Sequence, residues 1–169
     1  MNELPLKWRL FRLLCIFQMI LAGFHGALWI YSLVLAGGGW LALLGISVFG
    51  AMLYFLYMGL SFINYNYPDN PLSPQQKKRF NWLFLLNFLS IAFLFATLLS
   101  EWKNSIDIYR LLHPNTPGGY LAPFTFLIAA AFLFIFHLVF LIGMIGLRRE
   151  LYRNTEEAWQ KQFSSNEKS

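Results

Sequence analysis

The stretch that decides the fold is LLCIFQMILAGFHGALWIYSLVLAGGGWLALLGISVFGAMLYFLYMGLSFINYNYP, Leu13–Pro68, because its 56 residues include no Asp, Glu, Lys or Arg. A helix that crosses a bilayer needs about 20 apolar residues, so this stretch is long enough for two. Gly37–Gly39 provides the turn between them, since glycine tolerates positive φ and costs a helix about 1 kcal/mol relative to alanine. The stretch predicts spans at about Leu13–Leu35 and Leu41–Ile63.

Two further uncharged runs follow, Phe80–Ser100 and Leu111–Leu147. They predict a third span at about Phe80–Ser100 and a fourth at about Tyr120–Leu147. Only 12% of the residues are charged, about half the share in an average soluble domain. The predicted fold is therefore all-α, a single integral membrane domain over residues 1–169 that forms an up-down-up-down four-helix transmembrane bundle.

The connections carry their own signals. Ser73 and Gln76 form a capping-box pattern with Pro74 at the first helical position, so the third helix should begin about two turns before the membrane. Glu101–Gly119 is predicted to be the longest loop, and its apolar residues between Ile106 and Leu112 are compatible with a short helix on the membrane surface. After the fourth span, Arg148–Gln162 is predicted to continue as a helix within a tail of residues 148–169.

The basic residues define the orientation. Eleven of the thirteen lie on one side of the predicted spans, and only Lys103 and Arg110 lie on the other. The positive-inside rule then predicts that both termini lie on the cytoplasmic side of a plasma membrane. We expect this membrane to be a bacterial inner membrane, because the charge asymmetry is clear and the sequence shows no transit peptide. These basic residues sit at helix ends, so their charge indicates topology rather than binding to nucleic acid.

Polar and small side chains recur along three of the spans at spacings of three and four residues. Because hydrocarbon offers polar groups no partner, such stripes are expected to face other helices and to pack with crossing angles near +20°. We number the helices of the four predicted spans α1 to α4 in chain order. The α1 polar stripe is then Cys15, Gln18, Ala22, His25, Trp29 and Ser32. The α2 polar stripe is Ser47, Gly50, Tyr54, Tyr57, Ser61 and Asn64, and the α3 polar stripe is Asn87, Ser90, Leu94 and Thr97.

The depths of the polar side chains in the membrane, together with the helix faces on which they lie, predict one candidate ligand-binding site. At 1.5 Å per residue from the basic ends of the spans, His25, Tyr54 and His137 lie about 14 to 18 Å into the membrane. Tyr57 and Asn87 lie about 10 Å in on the same scale. These five side chains from all four spans are expected to converge in the middle and the basic half of the bundle.

Several interpretations of this cluster remain open. Its side chains could simply form hydrogen bonds between helices, each contributing about 0.6 kcal/mol. Alternatively, His25 and His137 could ligate haem, or histidine and tyrosine could hold a quinone or lipid-like molecule. Proton or ion movement is disfavoured because no span contains Asp or Glu.

The sequence favours a non-catalytic role. It contains no HExxH, GxSxG, P-loop or intramembrane aspartate pair, and the predicted basic-side loops are too short for a catalytic domain. The predicted function is an accessory or structural subunit of a membrane assembly, with the lipid bilayer, other membrane subunits or further copies of the chain as partners. The alternatives are a protein that binds haem, quinone or a lipid-like ligand between His25 and His137, and a transporter that works as an oligomer.

Overall fold

Four long helices make up the protein in a computed structural model that describes residues 4–35, 37, 39–111 and 122–166, with side chains placed at 4–35, 37, 39–107 and 124–160. Among these residues all regular secondary structure is helical. The helices are α1 (Leu6–Leu35), α2 (Gly39–Ser61), α3 (Pro74–Leu111) and α4 (Ala122–Asn166), and a π-helical turn at Phe62–Asn66 extends α2. All four are long and apolar enough to cross a membrane, so the predicted number of long apolar helices is confirmed.

The helix boundaries follow the signals in the sequence. Gly37 and Gly39 adopt φ of 65° and 55°, a conformation that lets the chain turn between α1 and α2 at no steric cost. At the start of α3, the backbone N–H of Gln76 donates to Ser73 Oγ at 3.2 Å, and the backbone N–H of Ser73 donates to Gln76 Oε1 at 2.8 Å. The predicted capping box is therefore confirmed.

Two helices are longer than their apolar segments. The helix α3 continues to Leu111, so residues 101–111 of the predicted loop are helical instead. The charged residues there do not end the helix because none of them is a helix breaker, and glycine and proline occur only further on, in residues 112–121, which lie outside the described part of the chain. The helix α4 runs through Arg148–Gln162, so the predicted extension of this helix is confirmed.

The helices pack as neighbours around a ring, with α1 against α2 and α4, and α3 against α2 and α4. We call the end where α1 and α3 begin, marked by Lys7, Lys78 and Arg148, the basic end. Towards this end the core is aromatic: Phe140 stacks on Phe11 with a centroid distance of 5.8 Å and meets Phe55 edge-on at 5.3 Å. Phe55 in turn contacts Phe80 at 5.5 Å, so one chain of rings links all four helices.

Two glycines make this packing possible. The ring of Phe11 lies directly over Gly143, and the ring of Trp29 lies directly over Gly45. A Cβ at either glycine would overlap the ring, whereas a Cβ at Gly50 would meet nothing within 4 Å. Helices α1 and α4, and likewise α1 and α2, therefore approach closely at these points.

The polar stripes of α1 and α3 face the core as predicted, with Gln18, Asn87 and Ser90 all buried. The prediction for α2 was wrong: five residues of the α2 polar stripe are exposed, and Ser61 is half-buried. A second stripe with the same spacing, about 200° around the helix, is buried instead. It consists of Ala42, Gly45, Phe49, Met52, Leu56 and Gly59.

The physical reason is that the polar groups of α2 do not need protein partners. The Ser47 hydroxyl donates to the Leu43 carbonyl of its own helix at 2.8 Å, which removes its cost in hydrocarbon. A tyrosine near a membrane surface can direct its hydroxyl towards water, as Tyr57 can towards the basic end. The large side chains of Phe49 and Met52 gain more from filling the core.

Candidate functional site

The structure separates the five predicted site residues. His137 and Asn87 are fully buried and lie together. His25 is also buried but contacts Leu21, Phe24 and Phe49 instead. Tyr54 and Tyr57 are 46% and 59% exposed on the outer face of α2, so their predicted convergence with the histidines was wrong. The cause is the rotation of α2, which directs Phe55 and Leu56 into the core instead.

A buried polar centre joins α1, α3 and α4 and is formed by Gln18, Asn87 and His137. The Nε2 of His137 lies 3.0 Å from the backbone carbonyl oxygen of Asn87, and its Nδ1 lies 3.1 Å from the side-chain amide of Gln18. Because a carbonyl oxygen can only accept, Nε2 carries a proton. Both ring nitrogens of His137 are therefore engaged in bonds to other helices.

The Gln18 amide can satisfy His137 in two ways. With its nitrogen towards Nδ1, it donates to a neutral imidazole and also approaches Met52 Sδ at 4.0 Å. With its oxygen towards Nδ1, it accepts from an imidazolium, and its nitrogen then donates to the Phe136 carbonyl at 3.3 Å. A neutral ring suits this position better, because no described carboxylate contacts it and an unpaired buried charge is costly.

The Asn87 side chain connects the buried polar centre to α2. Its Nδ2 donates to the Leu83 carbonyl at 2.8 Å and approaches the Ala51 carbonyl of α2 at 3.4 Å, so the centre reaches all four helices. No described group donates to the buried Asn87 Oδ1. That oxygen is an acceptor available to a water molecule or to another small donor.

His25 belongs to a separate, aromatic environment. Its Nδ1 lies 2.9 Å from the Leu21 carbonyl of the same helix. Its ring stacks on Phe49 with a centroid distance of 5.8 Å and meets Phe24 edge-on at 5.7 Å. Seven residues, about 10 Å along α1, separate His25 from the Gln18 that contacts His137.

These contacts do not fit haem. An axial histidine needs one free ring nitrogen, and both nitrogens of His137 already bond to Gln18 and Asn87. His25 has only Nε2 without a described partner, and its ring packs between Phe24 and Phe49. The described residues also contain no group of three or more His, Cys, Asp or Glu that could hold a metal ion.

A second polar cluster closes the basic end. The Glu150 carboxylate of α4 accepts hydrogen bonds from Trp8 Nε1 and the Tyr67 hydroxyl, each at 3.1 Å, and from Lys7 Nζ. Burial, together with the hydrogen bond to this carboxylate, raises the pKa of Tyr67 above its usual value, so the phenol stays a donor at neutral pH. The cluster joins the start of α1, the α2–α3 connector and α4.

Sequence reasoning placed Gln18 on the correct face but left it out of the site, and it missed the cluster around Glu150. Comparison with protein-family models, with curated proteins and with solved structures gave no match.

Proposed function

We propose that this chain is a multi-pass plasma-membrane protein with a non-catalytic role, an accessory or structural subunit of a larger membrane assembly. In this proposal it crosses the membrane up-down-up-down with both termini in the cytoplasm, in a bacterial inner membrane. The basic end is then the cytoplasmic end, in line with the positive-inside rule. The proposal rests on where polar side chains lie relative to the bundle.

The observation that carries the proposal is the outward position of the α2 polar stripe. Small and polar residues are enriched where membrane helices pack against one another, because they permit close approach and hydrogen bonds. Here Gly50 and Tyr57 lie on a face that no helix in the described part of the chain covers. A helix of another subunit, or of a second copy, fits that face better than lipid alone does.

The interior of the bundle supports the same interpretation. His137 and Gln18 satisfy each other, and the buried side chains of Met52 and Phe140 pack beside them. A transporter working through the α2 polar stripe would require a water-filled path along it, and that path would lie outside this bundle, between copies of the chain. Assembly with other chains is therefore common to the proposed subunit role and to the alternative of an oligomeric transporter.

Photo-crosslinking in native membranes tests the proposal. A benzoylphenylalanine at Tyr57 or Gly50 should give a discrete protein adduct, identified by mass spectrometry, that also co-purifies with the unmodified chain in mild detergent. The control is the same probe at Ile142, a lipid-exposed position on α4. Equal adducts at all three positions, or lipid adducts alone, would refute the proposal.

The orientation needs a separate test. Fusions of green fluorescent protein, which folds in the cytoplasm, should fluoresce at both termini, whereas a fusion of alkaline phosphatase at either terminus should be inactive. An active phosphatase at the C-terminus would overturn the proposed topology without bearing on the crosslinking result.

A further inference from the structure

Two hollows lie end to end between α2 and α3, on the outer surface of the bundle. The lower one, at the basic end, has a volume of about 510 Å³ and is lined by Tyr54, Gln75, Lys78, Arg79, Trp82 and Leu83. The upper one, of about 360 Å³, is lined mainly by apolar side chains, among them Val48, Ala51, Leu86, Leu89 and Phe93. Leu83 of the lower hollow and Leu86 of the upper one are less than one helical turn apart, and so are Tyr54 and Ala51. We therefore treat the two hollows as one surface, the α2–α3 groove.

The lower part of the groove is cationic. Lys78 and Arg79 are both exposed there, and in the described part of the chain neither forms an ion pair with a carboxylate. Among the described residues, none that lines the lower hollow is acidic. Tyr54, Gln75 and Trp82 add hydroxyl, amide and indole N–H groups that can donate to an oxyanion.

The upper part is apolar in spite of two serines. The Ser47 hydroxyl donates to the Leu43 carbonyl and the Ser90 hydroxyl donates to the Leu86 carbonyl, each at 2.8 Å, so both are satisfied within their own helices. The small side chains of Ala51 and these serines create the depth of the hollow, and Leu89 and Phe93 form its wall. This surface suits a hydrocarbon chain.

The dimensions match one membrane leaflet. Trp82 lies one turn above Lys78, at the level where aromatic residues meet the headgroup boundary. From Trp82 to Phe93 the groove extends eleven residues, or about 16 Å, close to half of the roughly 30 Å hydrocarbon core. A molecule with an anionic head at Lys78 and Arg79 and an acyl tail of this length would fill both hollows.

We propose that the α2–α3 groove is a binding site for one anionic phospholipid of the leaflet at the basic end. Its phosphate pairs with Lys78 and Arg79 and accepts hydrogen bonds from Gln75 or Trp82, while one acyl chain lies along Ala51, Leu86 and Leu89. Basic pockets between membrane helices recognise anionic headgroups by this combination of charge and shape. The groove shares Ser47 and Tyr54 with the α2 polar stripe, whereas Gly50 and Tyr57 do not line it. A protein partner that contacts Gly50 and Tyr57 and a lipid in the groove would therefore be neighbours.

The test is lipid titration of the full-length, delipidated protein, followed by native mass spectrometry. Phosphatidylglycerol should bind with one high-affinity equivalent, and phosphatidylcholine with the same acyl chains should bind far more weakly. Lys78→Gln/Arg79→Gln should raise the Kd for phosphatidylglycerol about 30-fold, from about fivefold per cationic side chain. The matched control, Arg9→Gln/Arg12→Gln, removes the same charge from the same end on α1 and should leave the Kd within twofold.

A second variant tests the apolar part. Ala51→Phe fills the upper hollow while leaving both cations in place, and it should weaken phosphatidylglycerol binding at least tenfold with unchanged circular dichroism. If that variant fails to fold, the charge variants still decide, because Lys78 and Arg79 are exposed.

Four results would overturn the proposal: equal affinity for the two lipids, no effect of the charge variants, inorganic phosphate competing as well as the lipid does, or a second protein chain occupying the groove. A failed crosslink at Tyr57 would refute the proposed subunit role and leave the lipid result unaffected.

Discussion

Replacing Gly143 by alanine should destabilise the bundle, because the ring of Phe11 occupies the space that the new methyl group needs. Phe11 is held from the other side by Phe140, stacked at 5.8 Å, so it cannot move away without breaking the chain of rings through the core. Overpacking of this kind costs about 1 to 3 kcal/mol, a factor of about 5 to 150 in the unfolding equilibrium constant.

Gly146→Ala on the same helix is the matched control. Its new Cβ would meet the Trp8 ring at 3.8 Å, an ordinary van der Waals contact. Both substitutions gain the same helix propensity, about 1 kcal/mol, so the difference between the two variants isolates the overlap with Phe11. Equilibrium unfolding in mixed detergent micelles, followed by circular dichroism, measures that difference.

The double variant Phe11→Leu/Gly143→Ala tests the cause. If the ring is what the methyl group meets, the smaller leucine should recover at least half of the loss relative to Phe11→Leu alone. Equal stability of Gly143→Ala and Gly146→Ala, or no recovery in the double variant, would refute the interlocking of α1 and α4 at this point.

Three further predictions use the same unfolding assay. His137→Phe leaves the Gln18 amide buried without its partner and should lower the free energy of unfolding by about 1 to 3 kcal/mol. Adding Gln18→Leu should restore part of that loss, and a double variant no more stable than the single one would contradict the Gln18–His137 hydrogen bond. Glu150→Gln should cost about 1 to 3 kcal/mol because three donors face its carboxylate, whereas Glu157→Gln, in an exposed pair, should stay within about 0.5 kcal/mol. Ser73→Ala should cost about 1 kcal/mol through loss of the α3 cap, and no loss would show that the cap is dispensable.

The sequence was most informative where a single physical cause acts. Hydrocarbon requires long apolar helices, and a capping box needs only residues three positions apart, so the four long apolar helices and the start of α3 at Ser73 could both be predicted. The inward faces of α1 and α3 also followed from Gln18 and Asn87, whose amides cannot be satisfied by lipid.

The face of α2 could not be predicted because two stripes with the same period compete on it. One carries Tyr54 and Tyr57, the other Phe49 and Met52, and polarity alone does not say which of them packs better. Only the fit of large side chains against α1, such as Trp29 over Gly45, distinguishes the two, and that fit depends on the three-dimensional arrangement.

The predicted depth of His25 relative to His137 was wrong for a different reason. Counting from the ends of the uncharged runs placed His25 level with His137, but the contact between Lys7 and Glu150 sets the true register of α1 and α4. Gln18 lies eleven residues after Lys7, and His137 lies thirteen before Glu150, so these two meet. The last charged residue of a helix is a poor marker of depth, because long basic side chains reach back to the headgroups.

The length of α4 has a mechanical consequence. Its apolar part ends at Leu147, yet the helix continues without a break to Asn166, a further 19 residues or about 28 Å. The first turns of this extension lean on the α2–α3 connector, where Asn154 Nδ2 donates to the Pro68 carbonyl at 2.8 Å. Thr155 also bonds to this connector, and beyond it the helix extends another 11 residues, or about 16 Å. A tilt of about 10° about that point would displace the C-terminal end of the helix by about 3 Å, so a small change in helix packing at the connector is amplified at the end of α4.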